Sequence, residues 1–520
     1  MIGGTVANRT AITISIMLSV IMRGLDNTIA NVALAHIQGS LSVSQEEVSW
    51  VLTSYIVSTA IAMPLTGWIA GRLGIKYVFL VSVIIFTVSS ALCGAAVNLE
   101  QLVFYRILQG FGSAALVPLS QATLLQINPP ERHGQAMAVF GTGTILGPIA
   151  GPAVGGFLTD ALGWRWVFYV NVPIGIVSAV GIALFIREAR RTHSEAFDFF
   201  GFLTLSVAIG ALQLLLDRGE VKDWFGSTEI WVEATIGLLA FYLLVVHTAT
   251  TTDRSFVNRD LLKNTPFVAG TMLVFLIGVS MNGTLALLPL MLQDLMNYPV
   301  MTTGVLMMSR GIGTMLGMFV VGRLINKIDV RLILVVGMLM LAFGLWQMTG
   351  FSLQMNAEPV IVSGLIQGFG FGCTGVPLNI IALSNLPRHI LTQGTAIRGL
   401  MRNLGGSVGI PILVAQLVEN TQIVHARLVE NLRPDNPMMH HPFLAAPYSL
   451  TTLTGLAALD HEVTRQASMT AYIDDFKLMM IVAVASLPLV LLLGKPAPRR
   501  ADPVRADPAM APAAKPAAAD

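Results

Sequence analysis

Apolar residues gather into fourteen long runs, at about 12–33, 50–70, 78–97, 101–124, 136–158, 167–187, 200–217, 230–248, 266–291, 302–324, 332–350, 359–383, 396–418 and 475–494. A bilayer core roughly 30 Å thick needs about 20 apolar residues to be crossed as a helix. In lipid a backbone must satisfy its own polar groups, so each run predicts one spanning α-helix. Most of the links between them are short and polar. Residues 419–474 form one longer polar link, which includes NLRPDNP (431–437), His440, His441 and EVTRQ (462–466). Helical segments are compatible with it. The chain from Lys495 onward is rich in Ala, Pro and charge and reads as a disordered tail.

The sign of the links changes the picture from a stack of helices to an oriented one. Arg72, Lys76, Arg132, Arg187, Arg190, Arg191, Arg254, Arg259, Lys263, Arg323, Lys327, Arg331 and Arg388 all fall in alternate links, together with Arg9 and the group Lys495, Arg499 and Arg500. The opposite short links hold only Arg165, Arg218 and Lys222. Basic residues mark the cytoplasmic side, so both termini are expected there, as an even number of crossings requires.

Composition agrees. Hydrophobic residues are 54% of the 520, charged residues 12%, and mean hydropathy is +0.71; an ordinary soluble domain carries about 25% charge. A net charge of +2 is too small to point to nucleic acid. Cys93 and Cys373 lie in separate apolar runs and suggest buried thiols, with no disulfide framework. The first apolar run is too long for a cleaved leader, and it reads as the first span.

The chain also repeats. RILQGFG (106–112) recurs as GLIQGFG (364–370), each followed by Val-Pro-Leu, and Gly67, Ile69, Arg72 and Lys76 share the spacing of Gly322, Leu324, Lys327 and Arg331. Two parallel halves are a transporter design. The expected organisation is six plus two plus six. A bundle over 1–195 is followed by two additional helices over 196–255. A second bundle spans 256–495 with its long outer loop at 419–474, and the tail is 496–520.

Several runs carry a family resemblance. LDNTIANVALA (25–35), WVLTSYIVSTAIAMPLTGWIAGRLG (50–74), GPIAGPAVGG (147–156), WRWVFYVNVPIG (164–175) and LLLDRGEVKDWF (214–225) occur in the order of signatures of the fourteen-helix drug:proton antiporter branch of the major facilitator superfamily, which the chain resembles over about residues 10–495. The resemblance implies an all-α polytopic membrane protein with two six-helix bundles and two extra helices. It implies export of hydrophobic or amphipathic drugs by alternating access, in exchange for protons, across the bacterial inner membrane. It further implies a periplasmic adaptor protein and an outer-membrane channel as partners. The chain departs from the pattern at Gly71, where the family carries Asp, at Ile75, where it carries a basic residue, at Ala35, where it carries Pro, and at Arg23, where it carries no charge.

The candidate chemistry lies in the spans. Asp26 sits deep in the first run, where a charged side chain costs at least about 2.5–3.5 kcal/mol unless it meets a cavity, a partner or a proton. A carboxyl that gains and loses a proton as the cavity opens to each side is a minimal coupling device. The competing reading pairs Asp26 with Arg23, three residues away on the same helix face. Arg106 opens the fourth helix, and the resemblance implicates it in proton transfer; Gly364 replaces it in the second half. A guanidinium stays charged, so it would act by setting a neighbouring carboxyl or by holding water. The other reading of Arg106 is a snorkelling interfacial side chain.

Asn31, Gln109, Gln121, Asn282 and Asn379 are uncharged polar residues in apolar runs and are expected to line a substrate cavity, with interhelical hydrogen bonding as the alternative. Gly67, Arg72, Gly74 and Lys76 in the loop after helix two, and Gly147, Gly151, Pro152, Gly155 and Gly156 in helix five, are expected to carry conformational change through close helix contact. Arg398 and Arg402 read as anchors at the inner face. His440 and His441 fit no metal spacing, no phosphate-cradling motif occurs, and no nucleophile–base arrangement is visible, so metal, cofactor, ATP drive and catalysis are not expected. A dedicated exporter of one endogenous metabolite or siderophore remains the alternative to multidrug export.

Overall fold

The computed structural model describes residues 8–493 except 130–131, 188–196, 220–221, 252–258, 326, 385, 387–390 and most of 431–451. The tail expected to be disordered, the loop histidines His440 and His441, and Arg388 lie outside the described residues. Among the described residues the secondary structure is helical throughout. The first group is α1 (Arg9–Leu41), α2 (Gln45–Ala62), α3 (Leu65–Leu73), α4 (Ile75–Ala95), α5 (Leu99–Ala114), α6 (Leu116–Ile127), α7 (His133–Leu162), α8 (Trp166–Tyr169) and α9 (Asn171–Phe185). Next come α10 (Phe199–Arg218), α11 (Thr228–Thr250) and the short α12 (Arg259–Lys263). The last group is α13 (Thr265–Leu290), α14 (Val300–Leu324), α15 (Val330–Met348), α16 (Glu358–Ser384), α17 (Leu391–Val429) and α18 (Leu453–Ala485).

Among the described residues twelve helices are long and apolar enough to cross a membrane, and the pair α2 and α3, bent by 54° at Met63–Pro64, makes a thirteenth if counted as one span. Proline removes a backbone donor and clashes with the preceding turn, which accounts for that bend. α7, thirty residues long, packs along α1.

The packing partners follow the repeat. α5 sits between α2 and α4, and α16 sits between α14 and α15. The QGFG segments explain why. A Cβ at Gly112 would stand 2.6 Å from the Phe86 backbone nitrogen on α4, and one at Gly370 would stand 2.6 Å from the Gly337 carbonyl on α15. Lipid tails are as apolar as leucine, so helices associate in a membrane by close van der Waals packing, and small residues permit it. α1 packs on α7 and α9, and α13 packs on α17 and α18 in the same manner. The two groups meet where α14 contacts α7 and where α17 contacts α3 and α6. α10 rests on α2 and α17, and α11 rests on α10. α11 turns Trp231, Leu238, Phe241 and Tyr242 outward, the exposed apolar face that a lipid environment would cover.

The long polar link expected over 419–474 is shorter in the structure. α17 continues to Val429 and α18 already begins at Leu453. Charges at Asp460, Glu462, Arg465 and Asp474 interrupt the apolar pattern of α18 and conceal the helix from a search for apolar runs. At about 1.5 Å per residue, α17 extends roughly 58 Å and α18 roughly 50 Å, well beyond a bilayer core. His425 on α17 and Asp460 on α18 meet at 3.1 Å in the part that projects.

Candidate functional site

Side chains of α5 and α9 converge on Asp26. Its Oδ2 accepts from Arg106 Nη1 at 2.8 Å, and its Oδ1 accepts from Gln109 Nε2 at 2.8 Å and from Asn171 Nδ2 at 2.9 Å. Asp26 lies on α1, Arg106 and Gln109 one turn apart on α5, and Asn171 at the start of α9. Arg106 also donates from Nη1 to Gln109 Oε1 at 2.9 Å and from Nε to the Val51 carbonyl of α2 at 2.9 Å. Its guanidinium lies over the Tyr55 ring at 4.3 Å and near the Phe168 ring of α8 at 5.6 Å. Ser90 on α4 accepts from Asn171 at 3.0 Å and donates to the Phe168 carbonyl at 2.8 Å. Asp26 and Arg106 are each 1% exposed. Removing two charges from water is tolerable only with good geometry and further hydrogen bonds, which Gln109, Asn171 and Val51 provide.

Arg23 is not the partner of Asp26. Its Nε donates to Ser113 Oγ at 2.9 Å, and Tyr55 Oη shares that serine at 2.7 Å. Nor does Arg106 snorkel outward, because it is enclosed by α1, α2 and α5. Gln109, expected in a substrate cavity, is wholly buried and committed to Asp26. Asn171, which completes the carboxylate's shell, was not singled out from the sequence, although a lone Asn in the apolar run after Tyr169 is the signal that marks it.

The second half holds a neutral copy of this arrangement. Gln109 and Gln367 are 258 residues apart, as are Asp26 and Thr284, and Arg106 and Gly364. Gln367 Nε2 donates to Thr284 Oγ1 at 3.0 Å, as Gln109 does to Asp26, and Thr284 approaches Met479 of α18 at 3.8 Å. The scaffold is duplicated and the charges are confined to the first half.

A cavity lies between the two groups of helices. Met63, Val117 and Gln121 line one side; Met281, Asn379, Arg398 and Arg402 line the other. Its open room is about 90 Å³, whereas a drug-sized ligand takes a site of about 300–1,000 Å³, so the two sides must part to admit one. Arg398 and Arg402 therefore do not act as inner-face anchors; they are one turn apart on α17 and face this cavity. Arg398 is 5% exposed and donates to Asn379 Oδ1, and its Nε has no hydrogen-bond partner among the described residues. Among the described residues no carboxylate lines the cavity. Arg310 on α14 donates to the Met281 carbonyl of α13 at 3.0 Å.

The remaining expected residues are spread out. Asn31 is exposed and does not line the cavity. Asn282 bonds the Gly278 carbonyl of its own helix at 2.9 Å and lies against Gly406 of α17. Gly147 meets Gly24 of α1 so closely that a Cβ there would stand 2.7 Å from the Gly24 backbone, and Gly151 faces Thr28 and Gly155 faces Ile29. Gly156 faces open space. The side chain of Pro152 lies outside the described ones. After α3, which carries Gly67, Gly74 takes φ +99° between α3 and α4, a conformation that favours glycine. Arg72 lies over Trp68 at 5.5 Å, and Lys76 Nζ donates to the Ala183 carbonyl of α9 at 2.8 Å.

Residues 16–410 match the family model described as Major Facilitator Superfamily. The chain is 36% identical over 434 residues to the multidrug export protein EmrB of Haemophilus influenzae, a match covering 82% of this chain and 84% of that one. It is 33% identical over 492 residues to the fatty acid resistance protein FarB of Neisseria gonorrhoeae, covering 93% and 96%. The human organic anion transporter MFSD10 shares the fold, with TM-score 0.58 at 14% identity over 91% of this chain and 98% of that one.

Proposed function

The chain belongs to the major facilitator superfamily, and from that premise we propose that it is a proton-coupled exporter of amphipathic compounds in the bacterial inner membrane. The observation that carries this reading is the enclosed Asp26–Arg106 pair on α1 and α5, in a fold whose two groups of helices hold a cavity between them. Asp26 is the coupling carboxyl. Protonation of Asp26 removes its charge and frees Arg106 from its ion pair, while the Val51 carbonyl and the Tyr55 ring continue to hold the guanidinium. α1 then shifts against α7 along the glycine contact, and the cavity changes the side to which it opens. Substrate leaves outward as the proton enters. Fourteen crossings, with α7 among them and both termini cytoplasmic, complete the topology, in a six-plus-two-plus-six division at 195/196 and 255/256.

The cavity also favours one kind of substrate. Arg398 and Arg402 present positive charge to a space lined mainly by apolar side chains, Met63 and Met281 among them, together with the uncharged polar Gln121 and Asn379. A buried guanidinium without a counter-charge is costly, and a carboxylate or phenolate on an apolar body would relieve that cost. The name of FarB, a fatty acid resistance protein, accords with an acidic amphiphile. Export continues through a periplasmic adaptor and an outer-membrane channel, for which the projecting ends of α17 and α18 offer a rigid surface.

Transport by purified full-length protein in proteoliposomes tests the reading. Fluorescent fatty acid and a lipophilic cation serve as probes, each with and without ΔpH. ΔpH-driven flux of the acid, faster than that of the cation, is the expected result. Flux that persists unchanged when ΔpH is dissipated would contradict the coupling. Transport of a single compound from a broader panel would replace multidrug export by a dedicated exporter.

A further inference from the structure

A second carboxyl is buried far from Asp26. Asp475 lies on α18 and is 0% exposed, and neither carboxyl oxygen has a hydrogen-bond partner among the described residues. Its surroundings are apolar. Tyr472, Phe476 and Met479 flank it on α18, within a cluster that includes Leu287, Leu345 and Leu413 from α13, α15 and α17. Asp474, its neighbour in the chain, carries charge of the same sign. The elements packed on α18 bring no cation to it. α13 carries no charged residue. The π-helical turn Met291–Leu295 carries the exposed Asp294, α15 carries Arg331 at its first turn, and α17 carries Arg398, Arg402, Glu419, His425 and Arg427. None of these residues forms an ion pair or a hydrogen bond with Asp475. The other charged groups of α18 are Asp460, His461, Glu462, Arg465 and Lys477, and Lys477 is exposed.

A naked carboxylate in such a place is unfavourable beyond what packing can offset, and such a group takes up a proton instead. The place is also connected to the architecture of transport. Met479, one turn along α18, touches Thr284, the counterpart of Asp26, which in turn bonds Gln367. A π-helical turn interrupts the end of α13 where α18 packs against it, and such interruptions recur at functional sites. We propose that Asp475 is a second proton-binding site, seated in the second half and independent of Asp26. It holds a proton in this conformation and releases it to water when α18 moves away from α13 and α15. The O–H bond of the acid breaks and the proton passes to solvent, leaving the carboxylate. The proposal does not depend on which compound is exported, because its test observes the carboxyl itself.

The experiment is infrared difference spectroscopy of the full-length protein in nanodiscs, titrated from neutral to alkaline pH. The C=O stretch of a protonated carboxylic acid is expected at neutral pH in the wild type and in Asp26→Asn, and it is expected to be absent in Asp475→Asn. It should bleach reversibly on alkalinisation. Asp475→Glu should retain the band at a shifted frequency, which keeps the test decisive if the asparagine variant folds poorly. An Asp475→Asn spectrum identical to the wild type would overturn the assignment. A band that alkalinisation never bleaches would reduce Asp475 to a fixed structural acid and overturn it equally.

Discussion

Asp26 and Arg106, eighty residues apart, meet at 2.8 Å in an enclosure where each is 1% exposed, and Gln109 and Asn171 occupy the remaining face of the carboxylate. The relationship fixes what each residue can do. The guanidinium is held from Nε by Val51 and from below by Tyr55, so it stays in place when the carboxyl changes charge. Breaking a buried pair by removing one partner costs about 3–5 kcal/mol because the other charge is stranded. Asp26→Asn should therefore lower the unfolding midpoint in detergent as well as uncouple transport. Arg106→Lys should not restore either property, since an ammonium cannot reach Asp26, Gln109 and Val51 together.

Arg23→Gln separates the neighbouring arginine from this pair. Its bond is to Ser113, so the substitution should leave the pH profile of transport unchanged. A shift in that profile comparable to that of Asp26→Asn would contradict the pairing observed here.

The glycine face of α7 gives a contrast within one helix. Gly147→Ala places a methyl 2.7 Å from the backbone of Gly24, and Gly156→Ala meets nothing within 4 Å. Overpacking of a tight contact typically costs about 1–3 kcal/mol. Thermal unfolding should show the loss for position 147 alone, with slowed transport.

Arg398→Gln and Arg402→Gln address substrate charge. Each should raise the KM for an acidic amphiphile about tenfold, roughly the 1.4 kcal/mol of one charged contact, and leave a neutral analogue unaffected. Equal loss for both compounds would assign the arginines to packing.

The entry to α2 carries a pH dependence of its own. Ser44 and Glu47 form a reciprocal cap, and hydrogen bonds from the Ser44 backbone and side chain hold the Glu47 carboxyl below its ordinary value of 4.5. A carboxyl lowered by folding stabilises above its unfolded value and loses that contribution as pH falls through the folded one. Glu47→Gln should hasten hydrogen exchange over residues 45–50 at neutral pH, and acidification of the wild type should narrow the difference between the two.

Most of the spans, the repeat and the two central charges were legible in the sequence because a charge within an apolar run is conspicuous and QGFG recurs at one offset. The partner of Asp26 was not legible. Arg23 is the local neighbour by helical spacing, and only the packing of α5 between α2 and α4 brings Arg106 to the carboxylate. Arg398 and Arg402 were read as anchors because the apolar run begins at their position, whereas α17 starts earlier, at Leu391. Asp475 escaped notice for a related reason. It follows a stretch dense in charge, and its burial arises from α13, α15 and α17, whose convergence on it no local pattern encodes.

The most direct test of the account compares wild type with Asp26→Asn in proteoliposomes under an imposed ΔpH, following flux of a fluorescent fatty acid and the accompanying proton movement. The wild type should move acid and protons in opposite directions at a fixed ratio, and the variant should lose the proton movement and the uphill flux together. Proton-coupled flux that survives in Asp26→Asn at the wild-type ratio would contradict the central role given to Asp26.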